Sequence, residues 1–592
     1  MKKVAYLLAG LLLAVMVSNR AMAADVWGAW QNGLPTAWVE GPSCNPAYDY
    51  ACDYPKLTPK QAKKMEQSGN CDPYLDYKCL DAYLGQDFAT RLYRYYILEW
   101  GHGAAPADPS APPARRVAKM VPPAPQTSPP MPYTEWPYGG TTLLGVNRTA
   151  SVDSPLMVAL APTALGKWLA DTGIQAYGWV APGGNISTNT VRQGGNFPIS
   201  YGYTPNTVQL DQAVLYIERT PDTVQSDHID WGFRVAPIFG TDYRYTFAYG
   251  LFSKTLNEQN LVDGFDIPMA YGEIFVPQVA QGMMIRVGRY ISIPDIEAQL
   301  APNNYTYIHS ITYTWDNYTN TGVQLNIALT NNWIIQPGIS VGTEAMPWHW
   351  GDHIPNPAPN PLYPTSTMLK DPGSMPSFTM GTRWTSDDGR DDLTVVADAW
   401  NDGTFGYNNL MWLGFTYYHI IDQYWHFAFE TYNEHENNVP NANNAVAAAA
   451  NGTGGLPFAT GNPTNTPFNG PNMAQCGGAA VLGGANTTKL TCTADSQSFL
   501  LYVNYSPNEL NNFTLRGEFY MDPQGWRTGT ATNYAETAIG WQHWLSPQIE
   551  IRPEVGYYRS LDVPAFNGNS AEGKPATRDW AVIAASDIIF HF

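Results

Sequence analysis

The chain has 592 residues, of which 14% are charged and 13% aromatic, and it contains 52 Gly and 37 Tyr residues. Its 51 acidic and 32 basic residues give a net charge of −19, which argues against a nucleic-acid partner because such partners favour a basic surface. The composition is more typical of an all-β protein with aromatic strand ends than of a helical enzyme. In a pore, the acidic excess would weakly favour cations, although acidic loops that simply face solvent would give the same charge.

The first 23 residues have the pattern of a cleaved secretory signal peptide. Lys2 and Lys3 form the charged start, residues 4–17 the apolar core, and Ala21-Met22-Ala23 the small-residue cleavage site, so the mature chain is predicted to begin at Ala24. A retained membrane anchor is the alternative, but the apolar run is short for one. No later run of about 18 apolar residues occurs, and no further membrane helix is predicted.

Residues 24–103 are predicted to form a small helical unit that contains cysteines, and the Pro-rich residues 104–137 a linker that favours extended polyproline II. The unit carries a repeat, since CNPAYDYAC returns as CDPYLDYKC and each copy has a turn-forming Asn-Pro or Asp-Pro pair. The unit either scaffolds the barrel or docks to the cell wall or a partner.

The six cysteines of an exported chain predict disulfides within three local pairs: Cys44 with Cys52, Cys71 with Cys79, and Cys476 with Cys492. Metal binding is the rival interpretation. No CxxC or CxxCH motif occurs, however, and the spacings fit no standard zinc or haem pattern. Connectivity is not determined by the sequence, because six cysteines can pair in several ways.

From about Thr172 onward, apolar and polar residues alternate in segments that are separated by turn residues. Phe513 and Leu515 share one face of such a segment, whereas Arg516 and Glu518 share the other, because successive side chains on a strand point to opposite faces. Charges of both signs gather on one face in several segments, as around a water-filled lumen. The fold class predicted for residues 138–592 is therefore all-β, a transmembrane antiparallel barrel of about 16 strands, with a range of about 14 to 18. A soluble sheet with one solvated face is the alternative.

The chain ends in a strand pattern, residues 581–592, with Phe590 and Phe592 on the apolar face and Asp587 and His591 on the other. A closed membrane barrel needs its last strand, because an open edge in lipid leaves backbone groups unsatisfied. We therefore predict a closing strand, recognised by the barrel-assembly machinery through the end at Phe592. A soluble sandwich would also accommodate this strand.

Connections between the segments alternate in length, as short periplasmic turns and longer outer loops would. The short ones include 331–332, 422–423, 506–511 and 545–547, and the long ones 344–377 and 434–496.

An ordered set of motifs over about the last 420 residues resembles the β-barrel porin-2, OmpL-like family of outer-membrane porins. The motifs are GIQAYGWVAPG (173–183), VQLDQAVLYIER (208–219), DWGFRVAPIFGTDYRY (230–245), FDIPMAYGEIFVP (265–277), IRVGRYISIPDIE (285–297), NYTNTGVQL (317–325), EIRPEVGYYRS (550–560) and SDIIFHF (586–592). Two departures occur: Ile293-Pro294-Asp295 replaces a more Gly-rich phrase, and the cysteine unit has no counterpart.

The resemblance implies a passive channel in the bacterial outer membrane, with lipid and small hydrophilic solutes as its partners and no catalytic residue or cofactor. A homo-oligomer is expected only by analogy with trimeric porins.

No catalytic or metal site is predicted from the residues themselves. His349 and His353 lie near Glu344 and Asp352, but this spacing is a weak metal signal, since loop histidines are usually solvated. His419 and His426 fall on opposite strand faces. A hydrolase is not indicated either, because the sequence contains no G-x-S-x-G motif and no evident Ser–His pair.

Two functional hypotheses remain. The first is a porin in which opposed charges form a constriction; the candidate pore-lining residues are Arg234, Arg286, Asp398, Glu430, Arg516, Glu518, Glu550, Arg552 and Glu554. The second is a plugged barrel that serves as an outer-membrane anchor, adhesin or assembly partner. A lumen filled by the Pro-rich segment or by the long loops would favour the second. Under the first hypothesis, six apolar side chains are predicted to point outward or towards the aromatic girdle: Phe513, Leu515, Ile549, Ile551, Phe590 and Phe592.

Overall fold

The computed structural model describes residues 155–592, apart from 161, 193, 222, 224–225, 247, 249, 253–261, 294, 331, 350–353, 356–367, 370–375, 387–390, 404–409, 422–424, 449–472, 509–510, 547–548 and 569–573. The predicted signal peptide, cysteine unit and linker lie outside the described residues, as do the pairs Cys44–Cys52 and Cys71–Cys79. The domain boundaries at residues 23, 103 and 137 therefore stay predictions.

Two short helices precede the first strand and a third lies between strands: α1 Pro155–Leu160, α2 Ala164–Thr172 and α3 Ile311–Thr314. Helix α2 begins after Thr163, whose Oγ1 accepts a hydrogen bond from Gly166 N at 3.0 Å, and ends at Gly173, a left-handed residue with φ 67°. In the described part of the chain, no helix combines the length and the apolar character needed to cross a membrane.

The strands make up most of the described structure. Their bounds are β1 Gln175–Ser187, β2 Val208–Arg219, β3 Asp230–Gly240, β4 Gly264–Val276, β5 Met283–Ile291, β6 Thr319–Ala328, β7 Trp333–Thr343, β8 Ile354–Pro355, β9 Met368–Leu369, β10 Ser377–Thr385, β11 Asp391–Trp400, β12 Met411–Ile420, β13 Trp425–Pro440, β14 Thr491–Asn508, β15 Asn511–Asp522, β16 Thr532–Ser546, β17 Ile549–Ile551, β18 Glu554–Ser560 and β19 Trp580–His591.

Each large strand pairs antiparallel with its neighbours in chain order, and β1 pairs with β19, which closes the sheet. The sheet contains 17 segments, but β17 and β18 share one position between β16 and β19, so the barrel has 16 strands. Pro553 lies between these two segments and lacks the N–H that a continuous ladder requires. Strands β8 and β9 form a separate small ribbon. The predicted fold and strand number are confirmed.

The apolar face of the strands points outward and the charged face inward. Phe513 and Leu515 of β15 are 43% and 47% exposed. Arg516 and Glu518, on the opposite face of the same strand, are buried. Of the six side chains predicted to point outward, Phe513, Leu515 and Phe590 are exposed and Ile549, Ile551 and Phe592 are partly exposed. A soluble sandwich buries its apolar faces, so this reversed arrangement excludes the sandwich and fits a barrel surrounded by lipid.

Exposed aromatic side chains collect at the two ends of the strands. Trp231, Trp333 and Trp425 lie at the end with the short turns, and Phe239 and Trp400 at the end with the long connections. Such aromatic bands are typical of the two membrane interfaces of an outer-membrane barrel.

The connections divide by length between the two ends of the barrel, as predicted. Short ones, such as 329–332 and 421–424, lie at one end with the start of β1 and the end of β19, whereas long ones, such as 344–376 and 441–490, lie at the other. Which end faces the periplasm stays a prediction from these lengths.

Candidate constriction site inside the barrel

The connection between β5 and β6, residues 292–318, turns into the barrel, and we call it the inner segment. Its two ends are adjacent because Ile291 and Thr319 are paired neighbours on β5 and β6. Every described residue of the inner segment is buried. Since a buried backbone needs hydrogen-bond partners, the wall strands have to supply them.

The centre of the inner segment is held by a glutamate of β15. Glu518 accepts hydrogen bonds from Ile311 N at 2.9 Å and from Thr312 N, at the first turn of α3. Ser310 caps the same turn, since its Oγ accepts a bond from Tyr313 N at 3.0 Å. One wall carboxylate and one local hydroxyl thus satisfy the N–H groups that a short helix leaves unpaired.

Arg516, two residues earlier on β15, also connects the inner segment to the wall, but as a cationic donor where Glu518 is an anionic acceptor. Its guanidinium donates to Thr306 Oγ1 at 2.9 Å and to the carbonyl of Ile308, while its Nε pairs with Glu536 Oε1 of β16 at 2.7 Å. A second carboxylate, Glu297 of the inner segment, lies 3.5 Å from the same guanidinium. The arginine is fully buried, so its positive charge needs partners, and both the wall and the segment supply a carboxylate.

A neighbouring pair on the wall makes equivalent contacts. Arg552 donates to the carbonyl of Asn304 at 3.0 Å, and Glu554 accepts from Ile308 N at 3.1 Å. Arg552 is oriented by Asp587 of β19, whose Oδ1 lies 3.1 Å from its Nε. Donor and acceptor side chains of one wall strand therefore meet carbonyls and N–H groups of the same stretch.

The ends of the inner segment are held by a different part of the wall. Glu430 of β13 accepts from Ile296 N at 2.8 Å, and Asp398 of β11 accepts from Asn317 Nδ2 at 3.0 Å. Glu344, just after β7, accepts from Thr319 N at 3.1 Å. Arg527 donates to the carbonyl of Asp316 at 3.1 Å.

The connection between β1 and β2 also enters the barrel and packs on the inner segment. Trp315 Nε1 donates to the carbonyl of Pro198 at 3.3 Å. Tyr201 stacks on His309, with ring centroids 3.6 Å apart, and on Tyr245 at 4.3 Å. Burial lowers the pKa of His309 well below its usual range, so this imidazole is neutral at physiological pH.

All nine candidate pore-lining residues are buried on the inward face. Six of them contact the inner segment or its ends: Asp398, Glu430, Arg516, Glu518, Arg552 and Glu554. The other three pair within the wall: Arg234 with Glu218, Arg286 with Glu273, and Glu550 with Gln542 and His591. Whether the nine line an open passage stays a prediction.

Sequence reasoning did not identify the inner segment or the partners Glu297, Glu344, Arg527 and Glu536. It named the Pro-rich segment and the long loops, for which it gave 344–377 and 434–496 as examples, as possible fillings of the lumen, whereas the segment found inside is 292–318. The available signal was a long stretch without strand alternation between two clear strand motifs.

The cysteine pair near the long β13–β14 connection is the one predicted pair within the described residues. Cys476 and Cys492 lie at disulfide distance, with Cα atoms 6.0 Å apart.

A closed 16-stranded barrel with an apolar exterior, two aromatic bands and a charged interior defines a porin-like protein of the outer membrane. The family model described as "Putative beta-barrel porin-2, OmpL-like" matches residues 173–592. The chain belongs to this family. No curated protein matches the chain.

Several solved structures align with this chain. The outer membrane channel DcaP of Acinetobacter baumannii has 10% identity and a TM-score of 0.40, over 71% of this chain and 97% of that one. The anion-selective porin from Comamonas acidovorans has 8% identity and a TM-score of 0.40, over 71% and 99%. A Rhodopseudomonas blastica porin triple mutant has 10% identity and a TM-score of 0.32, over 71% and 100%. The assignment to the family rests on the sequence match and not on these structures.

Proposed function

We propose that the protein is an outer-membrane porin in which the inner segment narrows the lumen, and that small hydrophilic solutes or ions diffuse passively past it. Membership of the porin family supports passive diffusion. The finer proposal is that the constriction is charged, with the nine candidate residues around it. Opposed arginines and carboxylates orient water and bias the transit of ions.

The observation that carries this proposal is how the inner segment is held. Its ends are attached to β5 and β6, and its backbone meets Glu430 on β13 and Arg516 and Glu518 on β15, which lie five and seven positions beyond β6 in the sheet. A connection held at several points across the lumen reduces its cross-section in a defined way. A loop held at one point would not.

The plugged barrel remains the second candidate, because every described residue of the inner segment is buried. In that case the barrel would serve as an outer-membrane anchor, adhesin or assembly partner, and the cysteine unit would dock elsewhere.

Further parts of the proposal follow from the export pathway and from the family. We expect the signal peptide to be cleaved before Ala24, the barrel-assembly machinery to recognise the strand that ends at Phe592, and the cysteine pairs to be oxidised. The family and fold point to a channel and not to an enzyme, and a homo-oligomer is the expected assembly.

Planar-bilayer conductance of the purified, folded protein tests the proposal. We expect stepwise currents from the wild type. In one variant, residues 297–314 are replaced by a short Gly-Ser linker, which can span the gap because the two ends of the inner segment are adjacent. This variant should show a larger unit conductance, because the segment that narrows the lumen is gone. A matched control replaces residues 480–484, which include the exposed Val481 and Leu482, and should leave the conductance unchanged.

The two candidates give different results in this experiment. A silent wild type with a conducting 297–314 variant would identify a plugged barrel. Silence from both folded proteins would overturn the channel altogether.

A further inference from the structure

Three carboxylates from distant parts of the chain meet inside the barrel. Asp295 lies near the start of the inner segment, Asp316 near its end, and Glu430 on β13. One oxygen of each lies within 4.8 Å of the others. Each residue is only 1% exposed, so bulk water hardly reaches the group.

Each carboxylate has an oxygen that accepts no hydrogen bond from an N–H or hydroxyl group of the described residues. Glu430 Oε2 accepts from Ile296 N at 2.8 Å, and Asp316 Oδ1 accepts from Asn317 N at 2.5 Å. The remaining oxygens, Glu430 Oε1 and Asp316 Oδ2, are buried without a hydrogen-bond partner among the described residues, as is Asp295 Oδ1. Buried polar atoms are nearly always partnered, so three such oxygens in one place point to a missing ligand.

None of the three carboxylates forms an ion pair with a cationic side chain within the described part of the chain. Arg527 donates to the backbone carbonyl of Asp316 at 3.1 Å, but its ion pair, at 3.0 Å, is with Glu434. Three carboxylates whose oxygens lie within 4.8 Å of one another, in a place that bulk water hardly reaches, repel each other when all three are ionised. Either protons or a bound cation would relieve the repulsion.

The oxygen-only donor set selects hard divalent cations. Ca²⁺ binds carboxylate oxygens at about 2.3–2.6 Å, so oxygens on opposite sides of one ion lie up to about 5 Å apart, as the spacing of these three permits. Calcium also accepts water and backbone oxygens, which would complete its six to eight ligands, whereas magnesium demands a stricter geometry.

We propose that Asp295, Asp316 and Glu430 bind one calcium ion inside the barrel. The ion connects both ends of the inner segment to β13, a strand that lies five positions beyond β6 in the sheet. The site goes beyond the proposed channel, since it would hold the segment in place in an open or in a plugged barrel.

Terbium and calcium binding to the full-length protein tests the site. The protein, refolded in detergent without lipopolysaccharide and treated with a chelator, is titrated with Tb³⁺, and the bound Tb³⁺ is then displaced by Ca²⁺. We expect one saturable site in the wild type. Asp295→Asn and Glu430→Gln should weaken it by about tenfold or more, because each removes one charged ligand.

Glu554→Gln is the matched control. Glu554 is also an inward glutamate that accepts a backbone N–H of the inner segment, at 3.1 Å from Ile308 N, but it lies outside the cluster. Binding should be unchanged in this variant. Absence of a saturable site in the wild type, or equal weakening by Glu554→Gln, would overturn the proposal and leave shared protons as the explanation.

Hydrogen exchange of the wild type keeps the test decisive if the cluster variants do not fold. Calcium should protect peptides from residues 292–318 and 425–440 and leave β15 to β19 unchanged. Protection spread evenly over the barrel, or no protection, would contradict a site at the cluster.

Discussion

The inner segment and the β13–β14 connection are both long, yet they satisfy their polar groups in opposite ways. The inner segment uses the wall, since Arg516 and Glu518 of β15 meet its carbonyl and N–H groups. The described parts of the β13–β14 connection use their own side chains and the backbone of neighbouring segments, such as the carbonyl of Gln524. Asn441 Nδ2 donates to the carbonyls of Asn486 and Lys489, both at 2.7 Å, and Val481 is 82% exposed.

The difference shows what keeps a connection inside a barrel. A backbone that leaves solvent has to exchange its water for protein partners, and a charged wall provides strong ones. A connection rich in Asn and Gly closes its own turns instead, so it does not need the charged side chains of the wall. Position in the chain and length do not distinguish the two cases.

The largest effect on stability is expected from removal of Arg516, a wall side chain that holds the inner segment. Arg516→Ala leaves Glu536 and Glu297 buried without their cation, which we expect to lower the free energy of unfolding by about 3–5 kcal/mol. The measurement is urea unfolding in detergent or lipid. Arg559→Ala is the control, since Arg559 is 54% exposed and 3.8 Å from Asp579, and it should change little. Equal effects of the two substitutions would mean that the inner segment does not depend on Arg516.

A smaller effect on stability is expected from a change of pH, through Glu344, which lies just after β7 and holds the end of the inner segment. Burial raises the pKa of its carboxyl from 4.5 to about 8. The folded protein therefore holds this proton more tightly than the unfolded chain does. The resulting stability is fully present below about pH 4.5 and is lost as the pH rises through about 8.

The thermal unfolding midpoint of the wild type should thus fall between pH 5 and pH 9, and Glu344→Gln should reduce that fall. Gln keeps an oxygen that can accept the N–H groups of Tyr318 and Thr319. His309 acts in the other direction below about pH 6.5, because its lowered pKa favours unfolding in acid. An identical pH dependence in the wild type and in Glu344→Gln would contradict the role of this carboxyl.

The smallest effect on the barrel is expected from the cysteine pair of the β13–β14 connection. Cys476→Ser with Cys492→Ser should leave conductance and barrel unfolding unchanged, since this connection does not rely on the charged wall. Trypsin should cleave after the exposed Lys489 faster than in the oxidised wild type, because the ring that Cys476 and Cys492 close is open. A large loss of barrel stability would place this connection in the same class as the inner segment.

Much of the barrel could be predicted from residue alternation alone. Phe513 and Leu515 against Arg516 and Glu518 identified the lipid and lumen faces of β15, because the two-residue period of a strand is local. The cysteine pair at 476 and 492 was visible from its spacing. The candidate site was found in part: Arg516, Glu518, Arg552 and Glu554 were named, but what they hold was not.

The sequence by itself determined which face of each strand meets lipid, about how many strands there are and where the connections lie, since all of these depend on neighbours along the chain. Only the tertiary structure decided that residues 292–318 enter the lumen and that Asp295, Asp316 and Glu430 meet there. The partners of these groups are remote in sequence, as when Glu518 accepts from Ile311 across 207 residues. Closure of the barrel brings them together, and no local pattern records which inward charges will then face one another.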